Sequence, residues 1–235
     1  MAYLSRDDIE SIAEQVTQQY KRTYVPEQHM CYNIDAGQLA SLLGFRIEYV
    51  NITKDGSILG QTSSGAIWVP IIGPDQKEML FLLDGKTILI EKQLLLSQKC
   101  IGRKNFTIAH ELAHQIINRE FPQMYGLQHR TFCDYRRSVN KRKQITDWYE
   151  WQADALAAAL LLPKDALLDS MFLFGLGDKM KVLSKKYSPN NYERFCNMAE
   201  CLQVSKTALS YRMEQLGLLE RNYLLKEATR QKGVA

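Results

Sequence analysis

Between residues 5 and 24 apolar side chains recur at helical spacing, with Ile9, Ile12, Ala13, Val16 and Tyr20 on one face. Ser5 or Asp7 stands at the front of this helix as an N-cap. Residues 35–43 predict a second, short helix ended by Gly44, a residue type that readily takes the left-handed conformation closing a helix. The period then changes. FRIEYVNI, ILGQTS, AIWVPII, MLFLL and KTILIE, all between residues 45 and 91, are short β-branched or aromatic runs. KDGS, SSG, GPDQK and DGK punctuate them, which predicts a small antiparallel sheet with tight turns. From Asn105 the pattern is helical to the end. The exception is residues 120–146, an expected irregular loop with Pro122, Gly126 and the basic run RRSVNKRK. Helix, sheet, then helices is the order of an α+β fold. No internal repeat is visible.

Within the first long helix after the sheet, FTIAHELAH (106–114) sets His110 and His114 four residues apart, with Glu111 directly after the first. Positions i and i+4 share a helix face, so both imidazoles can reach one metal ion. Glu111 is offset by about 100° and can reach a metal-held water without ligating the metal. This is the HExxH arrangement, two histidine ligands and a general base. Phe106, Ile108, Ala109, Leu112, Ala113, Ile116 and Ile117 wrap the helix in apolar side chains, as a buried helix requires.

A catalytic zinc site needs a third protein ligand and one open position. DWYEWQADALAAALLLP (147–163) predicts an apolar helix that nevertheless carries Glu150 and, one turn on, Asp154. Buried carboxylates require a cation, a metal or hydrogen bonds. Glu150 as ligand and Asp154 as hydrogen-bond acceptor for a ligating histidine would satisfy both. Glu150 has a second explanation, a capping box with Asp147 at the N-cap.

A chain of 235 residues holds one large domain or two small ones, and 46% hydrophobic residues supply a sizeable core. No apolar run reaches the roughly 18–20 residues of a membrane span. The opening MAYLSRDDIE has no basic segment followed by an apolar one, so no signal peptide is expected. Cys31, Cys100, Cys133, Cys196 and Cys201 are scattered and never spaced CxxC, which predicts reduced thiols and no cysteine zinc site. The net charge of +4 falls wholly after residue 163, where 12 Lys and Arg face 8 Asp and Glu. That excess favours an anionic partner there, or is simply a solvated surface.

FTIAHELAH followed by E-x-x-A-D-x-L-A-A-x-L-L-L-P (150–163) resembles the ImmA/IrrE metallopeptidases. These are cytoplasmic bacterial and phage-associated zincins of the gluzincin type. The resemblance runs from about Ile9 to Pro163 and continues more weakly into the tail. It implies a zincin-like fold, one Zn2+ per chain, His110, His114 and Glu150 as ligands, and Glu111 as catalytic glutamate. It also implies a protein substrate, a helix-turn-helix repressor of a mobile element or stress operon. Ala113 and Asn118 stand where many relatives have Gly and His, and Asp154 where Asn is frequent; neither Ala113 nor Asn118 is a ligand position.

An oxyanion donor is expected from such chemistry. His129, Tyr125 and Tyr149 are candidates by nearness along the chain, with a plain surface role as the alternative for His129. The segment Arg130 to Lys143, with six Lys or Arg, is read as a solvated lid or as a recruiter of acidic substrate. Residues 193–219 look like a helix-turn-helix, with Ala199, Leu202, Val204 and Leu209 inward and Ser205 as cap. Thr207, Ser210 and Tyr211 are expected on the exposed face, and Gln203 occupies a turn position that often holds Gly. These helices would touch DNA weakly, touch a protein, or pack on the catalytic part. The expected division is a metallopeptidase domain over 1–165 and a helical segment over 166–235. Two functions follow: a zinc endopeptidase inactivating a repressor, or a non-proteolytic regulator acting through its C-terminal helices.

Overall fold

The computed structural model describes residues 4–25, 33–97, 100–122, 131–133 and 148–224. Helix α1 (Arg6–Tyr24) opens on Ser5, not Asp7. The Ser5 hydroxyl accepts from the Asp8 amide while the Asp8 carboxylate accepts from the Ser5 amide, a reciprocal capping box. Its buried stripe is Ile9, Ala13, Thr17 and Tyr20. Helix α2 (Ala36–Leu42) is capped by Asp35, and Gly44 just beyond it has φ 82°.

The strands are β1 (Arg46–Val50), β2 (Gly60–Ser63), β3 (Ala66–Ile72), β4 (Glu78–Asp84), β5 (Thr87–Glu91) and β6 (Thr131–Cys133). They do not form one antiparallel sheet. The main sheet has the order β1-β5-β2-β6, and β1 pairs with β5 in parallel. β3 and β4 leave it as a separate antiparallel ribbon. The physical reason lies in the burial of β5, whose Ile88 and Ile90 join the main core while Leu89 packs against Val69, Ile71 and Leu83 of the ribbon. DGK has the residues of a hairpin turn, but the chain there turns a corner, and β5 returns between β1 and β2 instead of beside β4. Asp84 holds the corner, accepting from the Lys86 amide and the Thr87 hydroxyl and pairing with Arg46. β5 is buried on both faces, as its consecutive apolar residues Ile88, Leu89 and Ile90 require. β6 falls inside the expected irregular loop, where pairing with β2 supplies order that composition does not reveal.

Helix α3 (Ile101–Glu120) begins four residues before Asn105 and is followed, after β6, by α4 (Trp148–Leu161) and α5 (Lys164–Leu173). The rest is not all helical. β7 (Met180–Leu183) and β8 (Leu219–Asn222) pair in parallel around α6 (Pro189–Cys201) and α7 (Lys206–Gln215). Each strand has four residues, too few to show a period in the sequence. Gln203 takes φ 53° in the turn between α6 and α7, and Ser205 caps α7 through the Ala208 amide. Ala199, Leu202, Val204 and Leu209 are buried as expected. Ser210 is also buried, contrary to expectation, because its hydroxyl satisfies itself on the Thr207 carbonyl and needs no water.

One hydrophobic cluster extends from Leu4 to Leu219 and passes across residue 165. Two polar links reinforce the crossing. The fully buried Arg212 donates from Nε to the Leu162 carbonyl at 3.0 Å and grips Glu10 with both terminal nitrogens. Asn105 donates to the Gln203 carbonyl at 3.2 Å. Gly102 lets α3 approach the backbone of Val204 and Ser205; a Cβ there would lie 2.6 Å from it. Among the described residues no helix is long and apolar enough to cross a membrane, and Cys100, Cys196 and Cys201 are free thiols.

Candidate metal centre

Helices α3 and α4 pack against each other and carry the expected metal-binding side chains. α3 places His110 and His114 one turn apart, and both are buried. Their Nε2 atoms are 3.1 Å apart. Glu150, in the first turn of α4, inserts between them. Its Oε2 lies 3.2 Å from His110 Nε2 and its Oε1 3.3 Å from His114 Nε2. One donor atom from each residue falls within a 4.8 Å cluster. Asp154, one turn along α4, takes the other ring nitrogen of His110, Nδ1 to Oδ1 at 2.9 Å. That contact fixes the ring and leaves Nε2 directed at Glu150. Glu150 and Asp154 are partly exposed, so the cluster is approached from their side.

The charges are tightly coupled. Burial disfavours a charged His110, but hydrogen bonds to Asp154 and Glu150 outweigh it and raise the ring to about 10. For His114 burial dominates, and together with the neighbouring His110 it lowers the pKa despite Glu150. Burial also works against the Glu150 charge, yet the two histidines hold its carboxyl well below the usual carboxylate range.

The donor set fits zinc. Two imidazole nitrogens and a carboxylate are among its usual ligands, and a tetrahedron with bonds of roughly 2.0–2.1 Å separates its donors by about 3.3 Å. The two imidazole nitrogens are 3.1 Å apart, close to that separation, and the Glu150 carboxylate presents one oxygen to each of them.

Glu111 is buried on the same helix, on the side that meets β2. Thr107, Glu111 and Gln115 follow one another at four-residue spacing along that side. Gln115 donates to the Thr62 hydroxyl and, at 2.8 Å, to the Ser63 carbonyl. Gly60 lies against Glu111 and Thr107. Neither Gly60 nor Gln115 was singled out in the sequence; a glycine within an apolar strand run is the one signal of a close approach. Of the expected oxyanion donors, Tyr149 is half-buried at the start of α4 and packs on the main core. His129 and Tyr125 lie outside the described residues, as do Asp147, on which the capping explanation of Glu150 depends, and most of the basic segment 130–143.

No curated protein matches the chain. A family model does: the M78 peptidase model, described as the IrrE N-terminal-like domain, matches residues 84–214. That span is more than half of the chain and contains His110, Glu111, His114, Glu150 and Asp154. The chain belongs to this peptidase family.

Proposed function

We propose that the protein is a zinc-dependent endopeptidase that cleaves, and so inactivates, a helix-turn-helix transcriptional repressor in the cytoplasm. The observation that carries the zinc assignment is the convergence of His110 Nε2, His114 Nε2 and the Glu150 carboxylate, with Glu111 buried beside them. Support for the repressor comes from the family likeness of the two motifs.

His110, His114 and Glu150 would hold the ion. When bound, zinc supplies Lewis acidity, lowering the pKa of water and polarising a carbonyl. Glu111 takes the proton of the attacking water and delivers it to the leaving amine, so one carboxylate serves both halves of the hydrolysis. Asp154 keeps His110 oriented through Nδ1, an outer hydrogen bond of the kind that tunes metal sites. The burial of Glu111 removes competing water from the base.

The protein should carry one zinc per chain by elemental analysis and should cleave the helix-turn-helix regulator encoded beside its gene. Glu111→Gln keeps the side chain's shape and all three ligands. It should retain zinc and lose cleavage by about 10²–10⁴-fold, the range for removing a general base. Cleavage by Glu111→Gln at the wild-type rate would overturn the assignment.

A non-proteolytic regulator is the second reading, favoured by the exposed Lys206, Thr207 and Tyr211 on α7. DNA binding by this surface should be weak, because few phosphates could be neutralised, and should fall as salt rises. Tight operator binding at physiological salt, unchanged by Glu111→Gln, would favour this reading over the peptidase.

A further inference from the structure

Gly60 is the first residue of β2, and its backbone does not explain why it is glycine. It is not among the glycines with positive φ, so an alanine could adopt its conformation. What it lacks is room. A Cβ built at position 60 would lie 2.7 Å from Glu111 Oε1, 2.8 Å from Glu111 Cγ and 2.7 Å from Thr107 Cγ2. Carbon atoms in van der Waals contact sit about 3.5–4.0 Å apart, so something must move.

β2 is poorly placed to move. It is an inner strand, paired with β5 on one side and β6 on the other. Its far end is tied to α3 by the two hydrogen bonds from Gln115. The preceding residue is also held, because the Leu59 carbonyl accepts from the Glu91 amide at 2.8 Å. Thr107 is no freer. It is fully buried, and its hydroxyl donates to the Arg103 carbonyl at 2.9 Å, which fixes its rotamer. Of the groups a new Cβ would meet, the Glu111 carboxylate is the one that lies several rotatable bonds from its backbone, so the displacement falls on it.

We propose that Gly60 is a positioning residue for the peptidase: the volume of its missing side chain is where the general base is held. It acts through Glu111. The metal-binding atoms lie elsewhere, between α3 and α4, so filling the space at 60 should disturb the base and spare the ligands. The inference rests on Glu111 being the base. Gln115 belongs to the same device, since it keeps β2 pressed on α3.

The test compares wild type, Gly60→Ala, and Gly60→Ala combined with Thr107→Ser, as zinc-loaded full-length chains. Thr107→Ser removes the methyl that a new Cβ would meet and leaves the conflict with Glu111 intact. Two measurements are made. The first is cleavage of the regulator that the wild type cuts. Gly60→Ala should lower kcat on the order of 10²-fold, the loss that follows about 1 Å of misplacement, with KM and zinc content unchanged. The combined variant should regain stability and not kcat. The second needs no substrate. In 13C-glutamate-labelled protein the Glu111 carboxylate resonance, assigned by its disappearance in Glu111→Gln, should shift in both Gly60 variants. The ring signals of His110 and His114 should stay in place. An unmoved Glu111 resonance, or kcat restored by Thr107→Ser, overturns the proposal. So does loss of the fold in both variants, which would make Gly60 a packing residue of the sheet. If the wild type cleaves nothing, the peptidase assignment fails by itself, and the resonance still decides whether Gly60 places Glu111.

Discussion

Glu150 is the residue at which two physical explanations part. As a ligand it supplies an anionic oxygen that an amide replaces poorly. As the third residue of a capping box it would be served equally by Gln. Glu150→Gln should therefore lower zinc occupancy itself, with activity falling as a consequence. Full occupancy and activity, measured at matched folding, would remove Glu150 from the site. The protonation of His110 makes a second prediction. Its pKa is raised from 6.5 to about 10 in the metal-free protein. The contribution of this charge to metal-free stability is thus fully present below about pH 6.5 and lost as pH rises through about 10. Zinc needs a neutral imidazole, so uptake at neutral pH must expel that proton. Apparent affinity should rise with pH between 6.5 and 8.5, by up to about tenfold per unit for each proton released. Calorimetry in buffers of different ionisation enthalpy counts the protons, and affinity independent of pH would refute the coupling. At this scale the site was legible because the chemistry is written into spacing: His110, Glu111 and His114 need only a helix to become neighbours. Gly60 was not legible as a site residue, because what makes it matter is the absence of a side chain facing a residue 51 positions away.

Among elements, the helices were legible and the sheet was legible only piecemeal. α1 follows from its apolar stripe and from Ser5 with Asp8, both local. The strands from β1 to β5 follow from short apolar runs, but their partners do not. A two-residue link after β4 has the same residues whether the next strand folds back or turns away. The outcome is decided by what covers β5 on both faces: the main core takes Ile88 and Ile90, and the β3–β4 ribbon takes Leu89 through Val69, Ile71 and Leu83. The short strands β6, β7 and β8 lie below the length at which a period can be read, and each exists through pairing with distant residues. This matters for the site. β2 carries GQTS, four buried residues of which three are polar, a composition that does not announce an inner strand. Its polar groups are accommodated because Gln115 and the neighbouring strands bond to them. The strand that roofs Glu111 is thus specified by its partners as much as by its own sequence.

For the molecule as a whole, the open matter is whether residues 1–165 and 166–235 fold separately. The cluster from Leu4 to Leu219 and the Arg212 contacts predict that they unfold together. Arg212 offers a way to measure this. Its side chain is 2% exposed, whereas that of its partner Glu10 is 38% exposed. Removing the two partners is therefore unequal. Glu10→Ala leaves a guanidinium buried with the Leu162 carbonyl, and an uncompensated buried charge costs about 3–5 kcal/mol when fully enclosed. Because the Glu10 end reaches solvent, about 2–3 kcal/mol is the fitting expectation, discounted for screening. Arg212→Met removes the charge with the contact, fills much of the same volume and leaves Glu10 free to hydrate, so its cost should be smaller. Urea unfolding followed by far-ultraviolet circular dichroism and by tryptophan fluorescence should give coincident single transitions for wild type. All three tryptophans precede residue 165, so fluorescence reports that part alone. If the parts are coupled, Glu10→Ala should move both signals to lower urea by the same amount. Two transitions in the wild type, with fluorescence following one of them, would mean that the C-terminal helices are a separable unit. A chain ending near residue 170 would then keep its zinc, whereas coupled parts predict that it loses both stability and metal.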